Sequence, residues 1–121
     1  IHATPIAEHI IGFMLLWTKQ FRKTFQQQED KVWKRIDDLT ELKDKTVLIL
    51  GLGSIGEEAA RLAAAFGAHV NAIDRPEREK PEFIEELGTS EQLLEMLSSQ
   101  EPAPIQESNL PKFLSRLSLN E

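Results

Sequence analysis

Glycines occupy positions 51, 53 and 56, in the run Gly51-Leu52-Gly53-Ser54-Ile55-Gly56, and a carboxylate, Asp74, follows beyond an alanine-rich stretch. A pyrophosphate needs donors that approach closely with no side chain in the way. Gly51 permits a tight turn, Gly53 lets the backbone come up to the phosphates, and Gly56 lets the next helix pack close to its strand. The start of that helix adds unpaired N–H groups and roughly half a positive charge. Ser54 and Ile55 lie nearest this point and are expected to contribute backbone N–H contacts. Asp74 stands at the distance from Gly51 where a carboxylate accepts hydrogen bonds from adenosine ribose hydroxyls, which favours NAD over NADP. Arg75 pulls the other way, because a guanidinium there could pair with a 2′-phosphate. Asp74-Arg75-Pro76 is also a good turn opener, and only its distance from Gly51 argues for more.

The surrounding elements suit that chemistry. Val47-Leu48-Ile49-Leu50 reads as a strand entering the glycines. Ile55 to Phe66 reads as a helix with Ile55, Ala59, Leu62, Ala63 and Phe66 on one face, stopped by Gly67 in a left-handed conformation. His69 to Asp74 is a second short strand, and Arg75 to Pro81 a charged surface loop. Thr89 and Gln92 have capping-box spacing ahead of a helix over Glu91 to Leu97. This predicts an α/β fold: a partial Rossmann βαβ unit with parallel strands and an apolar N-terminal helix.

That first helix is expected to take Thr4 as its cap and Pro5 as its first residue, with Glu8 near the positive end of the dipole. From Ile6 to Trp17 it is apolar on nearly every face, so burial on more than one side is expected, with another chain or domain as the second partner. Residues 19–35 turn polar, and the helix should run on a turn or two before giving way to an arm. The expected organisation is a helix and arm over 1–40, a nucleotide-binding unit over 41–99, and a linker with a short helix over 100–121. A chain starting at Ile1 suggests a sequence that begins inside something larger.

Composition narrows the function. With 121 residues and 40% apolar content, one modest core is the upper bound. Fourteen basic residues against 20 acidic ones give a net charge of -6, and the cations are scattered, so no nucleic-acid partner is expected. No apolar run is long enough to span a bilayer, and no membrane association is expected. The absence of cysteine excludes a thiol nucleophile and fits a reducing compartment, with the cytoplasm as the expected location. His2, His9 and His69 have no ligand-like spacing, so no metal site is expected. The acidic group Glu77, Glu79, Glu82, Glu85 and Glu86 reads as a solvated loop and helix face, and Trp17 and Trp33 as core or interface anchors.

Together these residues resemble the D-isomer-specific 2-hydroxyacid dehydrogenases in their nucleotide-binding domain. The likeness rests on Ala7-Glu8-His9 opening an apolar helix, Trp33, Leu42-Lys43-Asp44-Lys45-Thr46-Val47 entering the glycine run, Ala64-Ala65-Phe66-Gly67 and Asp74, over about residues 4–99. The resemblance implies NAD as cofactor, held by Gly51, Gly53, Ser54, Ile55, Gly56, Asp74 and Arg75, and hydride transfer with a 2-oxo or 2-hydroxy acid. In that family a His acts as acid and base, a Glu orients it and an Arg holds the substrate carboxylate. These follow the second half of the family's sheet, where this chain has Gln100-Glu101-Pro102-Ala103-Pro104 instead of an apolar strand, so no catalytic residue is assigned. Asn109 to Leu114 weakly resembles the family's closing helix. The expected function is an NAD-binding piece of such a dehydrogenase, inactive alone. The alternative is a non-catalytic isoform or interaction module that forms a homodimer, or pairs with a full-length subunit, through residues 4–35.

Overall fold

A computed structural model describes residues 2–98. The linker and helix expected beyond residue 99 lie outside the described residues. The elements are α1 (Ala3–Thr18), α2 (Phe21–Glu29), β1 (Thr46–Leu50), α3 (Ser54–Ala65), β2 (His69–Ile73), β3 (Glu86–Gly88), a 3-10 turn over Ser90–Gln92 and α4 (Leu93–Ser98). The three strands are parallel in the order β1-β2-β3, with Val47 opposite Val70 and Ala72 opposite Leu87. Parallel neighbours need a crossover connection, and α3 provides the one between β1 and β2.

The middle strand is buried at four consecutive positions, Val70 to Ile73. Continuous burial of this kind marks a strand covered on both faces. Val70 and Ala72 join Ala60 and Ala63 of α3, Ile11 of α1, and Leu42, Leu52, Ala68 and Ile84 in one core. The small alanines let α3 lie close to both α1 and the sheet. Met96 of α4 is buried as well, and a Cβ on Gly88 would lie 2.5 Å from its Sδ, so α4 folds back tightly onto β3.

The expected local signals hold at several boundaries. The Gly67 N–H donates to the Ala64 carbonyl at 2.9 Å and the Ala68 N–H to the Ala63 carbonyl at 3.2 Å, the two bonds of a Schellman stop, with Gly67 at φ 84°. Thr89 and Gln92 form the expected capping box, in which the Thr89 N–H donates to Gln92 Oε1 at 2.9 Å.

Five expectations need correction. α1 begins at Ala3 with no side-chain cap, so Thr4 is not its cap and Glu8 lies beyond the first turn. Pro5 fits there because the first four helical N–H groups have no intrahelical partner in any case. Second, the helix does not run on. It stops at Thr18, passes through Gln20 at φ 53° and restarts as α2. Third, the buried face of α3 is Ala59, Ala60 and Ala63, while Ile55 and Phe66 are exposed, because the helix turns its smallest residues toward the sheet. Fourth, no helix forms over the acidic stretch. Glu86 opens β3, an assignment made by pairing with Asn71 to Ile73 and not by the composition of the segment. Fifth, neither tryptophan is a core anchor: Trp17 is mostly exposed and Trp33 fully so. Among the described residues no helix is long and apolar enough to cross a membrane.

Candidate dinucleotide site

The site forms at the carboxyl end of the strands, where β1 passes into α3. Gly51 has φ 95°, in the left-handed region that side chains disfavour, and its N–H still donates to the Ile73 carbonyl at 2.8 Å. The chain therefore leaves β1 while remaining tied to β2. A Cβ on Gly56 would lie 2.0 Å from the Gly51 carbonyl oxygen, so this helix can start here only with glycine at that position. Gly53 is the helix N-cap, makes no side-chain cap and has nothing within 4 Å of a built Cβ. The N-cap position therefore puts no side chain over the start of the helix. Gly53, Ser54 and Ile55 are all exposed.

Asp74 stands directly across this turn. Its own N–H donates to the Gly88 carbonyl at 3.0 Å, which fixes its backbone to β3. Its Oδ1 accepts the Arg75 N–H at 2.7 Å, and its Oδ2 accepts the Leu52 N–H at 3.0 Å. The Arg75 N–H, with help from the Leu52 N–H and the nearby Arg75 and Arg78 charges, holds this carboxyl below the usual aspartate range, against the effect of partial desolvation. The carboxylate thus stays ionised and acceptor-only, with lone pairs left for further donors. Sequence reading placed Asp74 near the glycines but missed its bond to Leu52, whose buried side chain belongs to the core.

The fit to a dinucleotide is good on these observations: a glycine turn whose Leu52 side chain points into the core, an uncapped helix start and an ionised acceptor meet at one edge. Arg75 is exposed beside Asp74. Sequence reading also missed Glu57 and Arg78. Glu57 Oε2, in the first turn of α3, accepts a hydrogen bond from Arg78 Nη2 in the loop after β2.

His69 lies at the opposite end of the sheet, paired in register with Thr46. Its Nδ1 is 2.8 Å from Glu85 Oε1, and its Nε2 is 3.9 Å from Asp44 Oδ1. The hydrogen bond with Glu85 raises its pKa, helped by the Glu85 and Asp44 charges. A raised histidine stabilises the fold fully below its unfolded value of about 6.5, and this is lost as pH climbs through the folded value. An NMR titration of the imidazole is expected to give a midpoint above 6.5, moving back toward it in Glu85→Gln; an unchanged midpoint in the variant would refute the pairing. Among the described residues no group of three or more His, Cys, Asp or Glu is placed to hold a metal ion.

A parallel α/β sheet, a glycine turn into a helix and a carboxylate after the second strand define a dinucleotide-binding fold of the Rossmann type. The chain belongs to the D-isomer specific 2-hydroxyacid dehydrogenases, through their NAD binding domain, which matches residues 11–101. It is 41% identical over 69 residues to D-3-phosphoglycerate dehydrogenase of Mycobacterium leprae, a match covering 56% of this chain and 13% of that protein. A D-isomer specific 2-hydroxyacid dehydrogenase family protein from Aeromonas salmonicida superposes with TM-score 0.72 and 29% identity, over 78% of this chain and 30% of that one. An NADPH-dependent glyoxylate/hydroxypyruvate reductase from Sinorhizobium meliloti, in complex with NADP and sulfate, gives TM-score 0.64 and 28% identity over 75% and 28% of the two chains. The chain therefore spans well under a third of the length of the curated relative.

Proposed function

We propose that the chain binds NAD(H) as the pyrophosphate and adenosine half of a 2-hydroxyacid dehydrogenase site and does not by itself transfer hydride. The observation that carries this reading is Asp74: an ionised carboxylate hydrogen-bonded to the glycine turn, opposite the uncapped start of α3. In this reading Gly51, Gly53 and Gly56 shape the turn around the pyrophosphate, Ser54 and Ile55 offer it backbone N–H groups, and Asp74 accepts from the ribose hydroxyls. NAD is preferred because a 2′-phosphate meets the Asp74 charge, with Arg75 as partial compensation. Bound, the cofactor supplies the hydride chemistry. The proton transfer that accompanies it needs an acid and base at the same edge of the sheet. His69 sits at the other end, engaged with Glu85, and does not qualify. Calorimetric titration of the chain with NADH is the test: saturable binding is expected without turnover of a 2-hydroxy acid, and enzyme-like turnover would refute the inactive half-site.

A second reading is favoured by α1 and α2. Ile6, Phe13, Trp17, Phe21 and Phe25 are all substantially exposed on these two helices. A cluster of this kind on a small domain marks an interaction surface. In this reading residues 1–40 form a contact arm, 41–99 the cofactor unit, and residues 4–35 pair with a second copy or a full-length subunit. Sedimentation at micromolar concentration is expected to show a dimer that Trp17→Ser dissociates; a monomer at all concentrations rules out self-pairing.

A further inference from the structure

The turn carrying Arg75 is fastened to α3 by a contact that the nucleotide reading does not use. The Arg78 N–H donates to the Arg75 carbonyl at 3.0 Å, so the two arginines stand at the ends of one turn. They line the same open cleft with Glu77 and Glu79, and both charges reach Asp74. Their situations differ. Arg75 is exposed. Arg78 keeps only 33% of its side-chain exposure, and its Nη2 is committed to Glu57 Oε2. Its Nε is screened from solvent and has no acceptor among the described residues. A guanidinium offers five donors, so Arg78 retains capacity for an oxyanion, but Glu57 decides where that capacity points.

We propose that Glu57 sets the cofactor preference of this site by holding Arg78 on α3, which denies a 2′-phosphate the second arginine of a two-arginine clamp. The inference rests on the cofactor reading above. In that reading the adenosine ribose lies against Asp74, and a phosphate on its 2′-hydroxyl enters the cleft that Arg75 and Arg78 line. A phosphomonoester carries close to two negative charges and is repelled by Asp74, so a single exposed guanidinium is a weak counterweight. Two convergent guanidinium groups would be a strong one. The Glu57 contact commits Arg78 to α3 and so selects the cofactor that lacks this phosphate.

Calorimetric binding of NAD+ and NADP+ to the full chain decides the matter, in wild type, Glu57→Ala and the double variant Glu57→Ala with Arg78→Gln. Glu57→Ala removes the acceptor that holds Arg78 and is expected to raise NADP+ affinity about tenfold, the size of one added charge-assisted hydrogen bond, with NAD+ affinity changed less than about twofold. The second substitution is expected to cancel that gain. An unchanged NADP+ affinity in Glu57→Ala, with NAD+ still bound, overturns the proposal and leaves the cofactor reading standing. A gain that survives in the double variant also overturns it, since the charge of Glu57 itself would then be the cause. If the wild type binds neither dinucleotide, the cofactor reading fails and this proposal falls with it. Arg78→Met covers a Glu57 variant that does not fold. It is expected to change NADP+ affinity less than about twofold, because a held arginine contributes little, and a larger loss would show that Arg78 already serves the phosphate.

Discussion

Replacing Gly56 with alanine is expected to destabilise the chain by about 3 kcal/mol and to lower Tm by more than about 10 °C. Helix propensity points the other way, since alanine inside a helix is favoured over glycine by about 1 kcal/mol. The steric effect wins because the added Cβ would lie 2.0 Å from the Gly51 carbonyl oxygen and 3.2 Å from Ile49 Cγ2. The first of these atoms is backbone, fixed by the Gly51 N–H bond to Ile73, and cannot rotate away. Relief requires α3 to lift from the sheet, which would open the contacts of Ala60 and Ala63 with Val70 and Ala72. Gly53→Ala is the matched control. Its backbone is extended at φ -72° and nothing lies within 4 Å of the new atom, so the melt should stay close to wild type. The same methyl would stand over the helix start and is expected to weaken NADH binding. Equal melting temperatures for Gly56→Ala and wild type, followed by circular dichroism, would contradict the close approach.

Asp74→Ala is expected to weaken NADH binding about thirtyfold, the scale of losing two hydrogen bonds to an ionised acceptor. The carboxylate acts in two ways. It offers acceptors to the ribose, and through Leu52 it holds the glycine turn in the shape that presents the N–H groups. Asp74→Asn separates them. An amide oxygen can still accept from Leu52 while the charge is gone, so its affinity should fall between wild type and Asp74→Ala. NADP+ is expected to lose less than NADH in both variants, because the charge that repels its 2′-phosphate is removed along with the acceptors. Calorimetry that finds the same NADH affinity in wild type and Asp74→Ala would remove Asp74 from the site.

Much of the site was legible because its parts are specified within a few residues. The Gly51-Gly53-Gly56 spacing is written in one turn of chain, and the structure gives Gly51 its positive φ and Gly56 its close approach. The same holds for the stop at Gly67, where the Gly67 and Ala68 N–H groups donate to the nearby Ala64 and Ala63 carbonyls, and for the bond from Thr89 to Gln92. The apolar run of β1 and the alanines of α3 carried the element types, and with them the family.

By itself, then, the sequence determined the order of elements around the glycines, the helix stops and the presence of a carboxylate after β2, since local sterics and short-range hydrogen bonds decide these. Tertiary structure alone decided that Glu86–Gly88 is a strand, because three residues with an acidic start have no strand tendency until β2 offers its free edge. It also turned α3 onto Ala59, Ala60 and Ala63, where small side chains allow contact with both β2 and α1. The bond from Leu52 to Asp74 and the pair of Glu57 with Arg78 join residues more than 20 positions apart. Such contacts exist only after the sheet has brought the β1–α3 turn and the loop after β2 to the same edge, and no pattern along the chain encodes them.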